Sequence, residues 1–576
     1  MLHCSLSQKF LYAYLLFTFL KQSEATLSAS ISGFEWPWGR PVVQTPLGAL
    51  KGIKQSHGVQ AWLGVPFAQP PVGDLRFQPP SQIQEPWKNE KDCGKTSKIC
   101  PQFHVVKNVF LGSEDCLYLN VWVPSSATVK QPAGVLLWIF GGAFEIGDGY
   151  EFGWYDGHDL AQHTGKIVVT FNYRVGVFGF FAHEALKAEN SFGTTGNYGL
   201  QDQRAAMQWV QDNIALFRGD PSQVTLFGES AGGMSVCYHL SSKASAGLFH
   251  RAVVESGNCD AREFFQPLAS ALAVSREVSK AVKCESGSNE EILACLRALS
   301  TGDMMLETWY PGHTAPNASD IVPTLAPVMT YFPTVDGSPI GLLATPYDAF
   351  LAGTLNRVPT IMGTNQDEGT LFIPVLPLLW KPMISPLPVN EKGLHNVLMH
   401  IFNNSTTVDR IFNEYPASYF KTTDSRAAGM LRDFAFICAS RRAMQAMLAL
   451  NHTEVWEYRF SYPSHWIEAG ALGDYHTSEL FFLFRTHWPT ALIHPFDKKD
   501  TEMMDEIDGY WNNLASAGDP NGVNADVEDS SSKTFWPRFT NKEAAYIELS
   551  VPAVVKAALK AKHCDFWDDI RRYDLK

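Results

Sequence analysis

Residues 224–236 read Val224-Thr-Leu-Phe-Gly-Glu-Ser-Ala-Gly-Gly-Met-Ser-Val, a strand-like run, a glycine-bracketed turn and a helix-compatible run. A strand that becomes a helix within so few residues leaves no room for Cβ atoms beside its central residue, which is the work of Gly228 and Gly232. The feature constrains the whole chain, because a buried strand feeding a helix belongs in a parallel sheet covered on both faces.

The flanking sequence has the same rhythm. Short apolar, β-branched or aromatic runs occur at 119–123, 135–140, 167–173, 224–227, 252–255, 358–362 and 455–462. Helical patterns lie between several of them, most clearly at 201–216, where Ala205, Ala206, Trp209, Val210 and Ile214 share a side. Alternating strand and helix predicts an α/β fold with a mostly parallel central sheet. Residues 47–53 and 59–65 read as a small antiparallel start, and 370–450 as a Pro-rich and helical excursion over one edge. No internal repeat or Gly/Ser linker divides the chain, so residues 26–576 are expected to form one large domain with insertions.

Composition narrows the partners. With 46 basic against 59 acidic side chains the net charge is −13, and no global positive field draws nucleic acid or anionic lipid. Residues 1–25 read as a cleaved secretory signal: Lys9, an apolar stretch over 10–20, then Ser23 and Ala25 in a small-residue pattern. No later stretch reaches the length of a membrane span, so the mature chain is expected to be secreted, without a transmembrane segment. Four N-x-[ST] sequons, at Asn317, Asn403, Asn404 and Asn451, fit that route.

The central residue of the turn, Ser230, is a nucleophile candidate, on an elbow that presents its hydroxyl above a helix N-terminus. A serine hydroxyl is a weak nucleophile at neutral pH and needs a base, with a carboxylate to orient that base. Eight histidines follow residue 368: His395, His400, His452, His465, His476, His487, His494 and His563. His476 is favoured locally because it precedes the helix-like Thr477-Ser-Glu-Leu-Phe-Phe, and His465, just past the run at 455–462, stays open beside it. Gly141-Gly142-Ala143 follows the run at 135–140, where a glycine pair lets backbone N–H groups turn toward a ligand. Gly142, Ala143 and Ala231 are the candidate oxyanion donors.

Longer motifs carry a family likeness: Gly64-Val-Pro-Phe-Ala-Gln-Pro-Pro, Ser113-Glu-Asp-Cys-Leu-Tyr-Leu-Asn, Phe171-Asn-Tyr-Arg-Val-Gly, Gly196-Asn-Tyr-Gly-Leu-Gln-Asp-Gln and Phe227-Gly-Glu-Ser-Ala-Gly-Gly. From about residue 40 to Cys564-Asp-Phe-Trp, the chain resembles the type-B carboxylesterase/cholinesterase family of the α/β-hydrolase fold. The resemblance implies Ser230 as nucleophile, Glu368 of Asp367-Glu368-Gly369 as the acid and His476 as the base. It places Ser256 and Glu479 near the acid, and treats Arg76 with Glu114, and Arg174 with Asp202, as structural ion pairs. It also implies bridges joining Cys100 to Cys116, Cys284 to Cys295 and Cys438 to Cys564. Cys93, Cys237 and Cys259 are left over, with Cys237 expected to be a buried thiol. Glu229 is open between tuning the site's field and merely filling the elbow.

The expected activity is hydrolysis of a small neutral carboxylic ester through an acyl-enzyme, with no cofactor or metal. Three family alternatives stand beside it: a bile-salt-activated-lipase-like acylglycerol or cholesteryl ester lipase, a neuroligin-like adhesion module, and a cholinesterase. Against adhesion, every triad member is kept. Against a cholinesterase, the stretch between Cys100 and Cys116 lacks the tryptophan that stacks on choline. The oligomeric state is not encoded in any motif.

Overall fold

The computed structural model describes residues 39–104, 109–260, 265–309, 331–373, 389–463, 470, 472–486, 495–523 and 533–574. The expected secretory signal, Asn317 and His465 lie outside the described residues.

An 11-stranded sheet organises the described chain. Its strands are β1 (Ile53–Lys54), β2 (Gln60–Pro66), β3 (Tyr118–Val123), β4 (Ala133–Ile139), β5 (Ile167–Phe171), β6 (Gly219–Glu229), β7 (Arg251–Glu255), β8 (Thr360–Asn365), β9 (Val455–Phe460), β10 (Ala545–Leu549) and β11 (Val554–Ala557). The spatial order is β11-β10-β9-β8-β7-β6-β4-β5-β3-β2-β1. From β10 to β5 every neighbouring pair is parallel, while β3, β2 and β1 at one edge and β11 at the other pair antiparallel. This is the α/β-hydrolase arrangement, with β4 buried along its whole length, as a strand covered on both faces must be. The antiparallel start includes a further hairpin, Val42–Thr45 with Gly48–Lys51.

Helices α1 (Tyr198–Asn213) and α2 (Ala231–Ser241) follow the sequence pattern, α2 springing directly from the end of β6. Helix α3 (Lys498–Ala517) opens with a capping box, in which the Asp497 carboxylate accepts from Lys499 and Asp500 N–H groups. The excursion supplies helices Glu391–Phe402, Ser405–Glu414, Thr423–Leu431 and Cys438–Ala449, with a π-helical turn at Arg432–Ile437. It buries a core of its own, where Val408, Ile411 and Tyr415 meet Trp567 and Ile570 of α4 (Ala561–Asp574).

Four disulfides join Cys100 to Cys116, Cys237 to Cys259, Cys284 to Cys295 and Cys438 to Cys564. The second overturns the expectation of a buried thiol at Cys237. Packing of α2 against β7 brings its Cα within 5.2 Å of that of Cys259, just beyond β7, well inside bridging range. Cys93 is buried and unbridged. Both expected ion pairs are bidentate and buried: Arg76 donates to the two Glu114 oxygens at 2.8 and 2.6 Å, and Arg174 to those of Asp202 at 2.7 Å each.

Candidate active site

Where β6 meets α2, the backbone is forced into a conformation that side-chain-bearing residues rarely adopt. Ser230 has φ 55° and ψ −122°, and its N–H donates to the carbonyl of Glu255 on β7 at 2.9 Å. The glycines are sterically required. A Cβ at Gly232 would stand 2.0 Å from the Ile139 carbonyl oxygen, and one at Gly228 would stand 2.7 Å from the same atom. Close approach of β4 to the elbow thus explains the bracketing glycines. Ser230 remains partly exposed while its neighbours Glu229 and Ala231 are buried.

The turn after β4 abuts the elbow. A Cβ at Gly141 would lie 2.8 Å from Glu229 Oε2 and 3.0 Å from Ser230 Cβ. Beyond it Gly142, Ala143 and Phe144 have φ of 104°, 59° and 61°, so three successive residues hold left-handed backbone. Two N–H groups, of Glu145 and Ile146, close the turn on the Gly142 carbonyl at 3.0 Å. Among the described residues, no hydrogen bond uses the N–H groups of Gly142, Ala143 or Ala231.

Glu368 and His476 come from segments 108 residues apart and meet in the interior. His476 Nδ1 lies 2.6 Å from Glu368 Oε2, and the other Glu368 oxygen accepts from the Ser256 hydroxyl at 2.6 Å and the Asn365 N–H at 2.7 Å. Both oxygens of this fully buried carboxylate are therefore engaged, which fixes its orientation. Gly369, next in the chain, admits the Ala428 carbonyl of the excursion where a Cβ would stand 2.1 Å from it. The imidazole packs against a stacked pair, Phe372 and Phe436, at centroid distances of 4.9 and 5.1 Å, and Phe436 belongs to the π-helical turn.

Nε2 of His476 stands 3.0 Å from Glu229 Oε1 without hydrogen-bond alignment. Burial alone pushes this imidazole's pKa down, but the two carboxylates at its two nitrogens, Glu229 and Glu368, reverse the effect and hold it well above the usual range. Burial raises the Glu229 carboxyl, against the pull of His476. Glu255 is pushed up to about 8 by burial, with the Trp511 indole opposing through a 2.9 Å hydrogen bond and Glu229 adding to the rise. Glu479, raised well above the usual range by burial, accepts from the Asn365 side-chain amide.

The expected site residues Ser230, Glu229, Ala231, Gly142 and Ala143 thus lie around the elbow. Glu368, His476 and Ser256 form one bonded chain, and Glu479 joins it through Asn365 rather than directly. Sequence reasoning missed Asn365, Glu255, Trp511 and the two phenylalanines. None sits in a motif, and no local pattern separates an Asn or Phe beside an imidazole from one elsewhere. Asn403, Asn404 and Asn451 are exposed, Asn403 and Asn404 flanking the boundary between two helices. Among the described residues no cluster of His, Cys, Asp or Glu could hold a metal ion, and no helix is long and apolar enough to cross a membrane.

The fold is that of the α/β-hydrolases, and similar proteins make the chain a carboxylic ester hydrolase. The carboxylesterase family model matches residues 39–567, and the chain belongs to that family. It is 31% identical to an acylcarnitine hydrolase of Mus musculus, over 93% of this chain and 92% of that protein. Carboxylesterase 1D of Rattus norvegicus is also 31% identical, over 94% of this chain and 95% of its own length. Among solved structures, a thermophilic PNB esterase superposes with a TM-score of 0.73 at 27% identity, covering 92% of this chain and all of its own.

Proposed function

We propose that this hydrolase cleaves neutral carboxylic esters by two-step acyl transfer at Ser230. His476 takes the Ser230 proton as the hydroxyl attacks the ester carbonyl, and Glu368 holds the imidazole's tautomer and balances its charge. The N–H groups of Gly142, Ala143 and Ala231 receive the oxyanion, the contribution usually worth most in such sites. The alcohol leaves with the proton from His476, and water, activated by the same base, returns the carboxylic acid and free Ser230. Covalent attack by Ser230, proton transfer by His476 and charge stabilisation by side chains and backbone supply every step, with no role for a cofactor.

What carries the reading is the 2.6 Å contact of His476 Nδ1 with a Glu368 carboxylate otherwise bonded by Ser256 and Asn365. Ser256 and Glu479 then act by holding that carboxylate and its Asn365 support. Glu229, at the base's second nitrogen, tunes its proton affinity.

The neutral substrate class follows from the loop between Cys100 and Cys116, which has no tryptophan to hold a quaternary ammonium ion. Losing about 1–2 kcal/mol of such binding costs choline esters roughly 5–30-fold in kcat/KM. The test compares butyrylthiocholine with a neutral thiobutyrate of similar size, and selectivity for the cation would overturn this class. A lipase reading predicts instead a sharp rise in rate on emulsified ester. We further propose secretion after removal of residues 1–25, residues 26–576 forming the mature domain, and glycans on Asn317, Asn403, Asn404 and Asn451. The four bridges fit folding in an oxidising compartment. N-terminal sequencing and glycosidase treatment of protein from culture medium test both.

A further inference from the structure

The left-handed turn that carries Gly142 and Ala143 is closed by its own Glu145 and Ile146 N–H groups and pinned by the Gly176 N–H on the Phe144 carbonyl at 2.7 Å, and two side-chain amides fasten the segment that leaves it. Gln102 lies in a short hairpin, Gln102–His104 with Val109–Leu111, inside the loop closed by Cys100 and Cys116. Its carboxamide pairs with the backbone of Gly147 in both directions. Nε2 donates to the Gly147 carbonyl at 2.8 Å, and Oε1 accepts the Gly147 N–H at 2.8 Å. The same Nε2 lies 3.2 Å from the carbonyl of Cys100, so one group spans the bridged cysteine and the turn.

Gly147 packs back against the start of the turn. Its φ is 110°, and a Cβ there would meet the Phe140 ring at 2.6 Å and the Gly141 carbonyl oxygen at 2.8 Å. A residue packed that tightly on Gly141 transmits its position to the two residues that follow. Asn172, just past β5 and buried, makes the matching tie two residues farther on. Its Oδ1 accepts from the Gly149 N–H at 2.9 Å, and its Nδ2 donates to the carbonyls of Lys98 and Cys116 at 3.1 Å each. Both ends of the bridged loop are thereby fastened to the segment that leaves the turn.

We propose that Gln102 is a positioning residue for ester hydrolysis, its carboxamide locking the backbone that presents Gly142 and Ala143 to the loop rigidified by Cys100 and Cys116. The proposal rests on the oxyanion role given to those N–H groups. A donor displaced by a fraction of an ångström binds the ground-state ester almost as before and loses its advantage in the transition state. Loss of one oxyanion donor costs 10²–10³-fold in other hydrolases, so a loosened turn is expected to cost about 10–100-fold.

The experiment uses the full chain with Gln102→Met, which keeps side-chain length and removes both bonds to Gly147, and Gln102→Ala as a second variant. Each is measured for kcat, KM and the affinity of a trifluoromethyl ketone, whose hemiketal places an oxyanion at the same donors, and of a non-electrophilic amide of the same shape. We expect kcat to fall about 10–100-fold with KM changed less than threefold, ketone affinity to fall in parallel, and amide affinity to hold. A merely structural role would lower the melting temperature and leave the ketone-to-amide ratio unchanged, and that result overturns the proposal, as does a wild-type kcat in Gln102→Met. Organophosphate labelling separates the two claims: a variant that still labels at Ser230 keeps the nucleophile assignment whatever becomes of Gln102.

Discussion

Two carboxylates face one imidazole, and the balance among the three sets the pH range in which the base can work. His476 must be neutral to take a proton, yet Glu229 and Glu368 hold its pKa above the usual range, so kcat/KM falls as pH drops through that raised value. Glu229→Gln removes one of the two charges. We predict that its acid limb moves to lower pH while the alkaline plateau stays within about tenfold, as a pH–rate profile on a neutral ester will show. Glu255 supplies the complementary test on stability. Its folded pKa of about 8 lies above the ordinary glutamate value, so between roughly pH 4.5 and 8 the folded state binds a proton that the unfolded chain has lost. Stability therefore declines across that window as pH rises, by at most about 1.4 kcal/mol per unit from this group. Glu255→Gln keeps an acceptor for Trp511 and removes the titration. Its denaturant midpoint, relative to wild type, is predicted to be higher at pH 8 than at pH 5.

At the scale of elements, β4, β6 and α2 are pressed together until glycine alone fits between them. Gly232→Ala would put a methyl carbon about 2.0 Å from the Ile139 carbonyl, and the elbow has to shift to accept it. We predict a loss of roughly 1–3 kcal/mol or more in chemical unfolding, together with most of the activity, since Ser230 moves with the elbow. This part of the fold was legible because the motif, the strand before it and the helix after it are contiguous. The central strands were legible as well: the run at 135–140 is found as Ala133–Ile139, and that at 455–462 as Val455–Phe460. β10 and β11 are absent from the sequence reading: Glu548 interrupts the apolar run of Ala545–Leu549, buried though its other residues are, and Val554–Ala557 is exposed throughout. The Cys237–Cys259 bridge was misread for a related reason. It joins a helix to the segment after the next strand, and only the packing of α2 on β7 makes those positions neighbours. The local pattern left His476 beside His465, and the family likeness chose between them. Asn365 and Gln102 carried no signal, since an amide that satisfies a distant backbone looks like any other amide.

For the molecule as a whole, the excursion and the C-terminus form a second core beside the sheet, held by the longest covalent link. Cys438 and Cys564 stand 126 residues apart and connect the helix Cys438–Ala449 to α4. A link of that span restrains the unfolded chain strongly, so the double serine variant is predicted to lose about 4 kcal/mol in denaturant unfolding. Because the same excursion supplies Phe436 against His476 and Ala428 to the acid turn, activity should be lost at lower denaturant than bulk structure in that variant. That Ser230 alone forms the acyl-enzyme is open to a direct covalent test. The protein is treated with an organophosphate and the adduct located by peptide mass spectrometry, alongside turnover of Ser230→Ala. One equivalent of label is expected on the peptide containing Ser230, with a folded, unlabelled Ser230→Ala that has no turnover, whereas a stoichiometric label elsewhere, or an active Ser230→Ala, rules Ser230 out as the nucleophile.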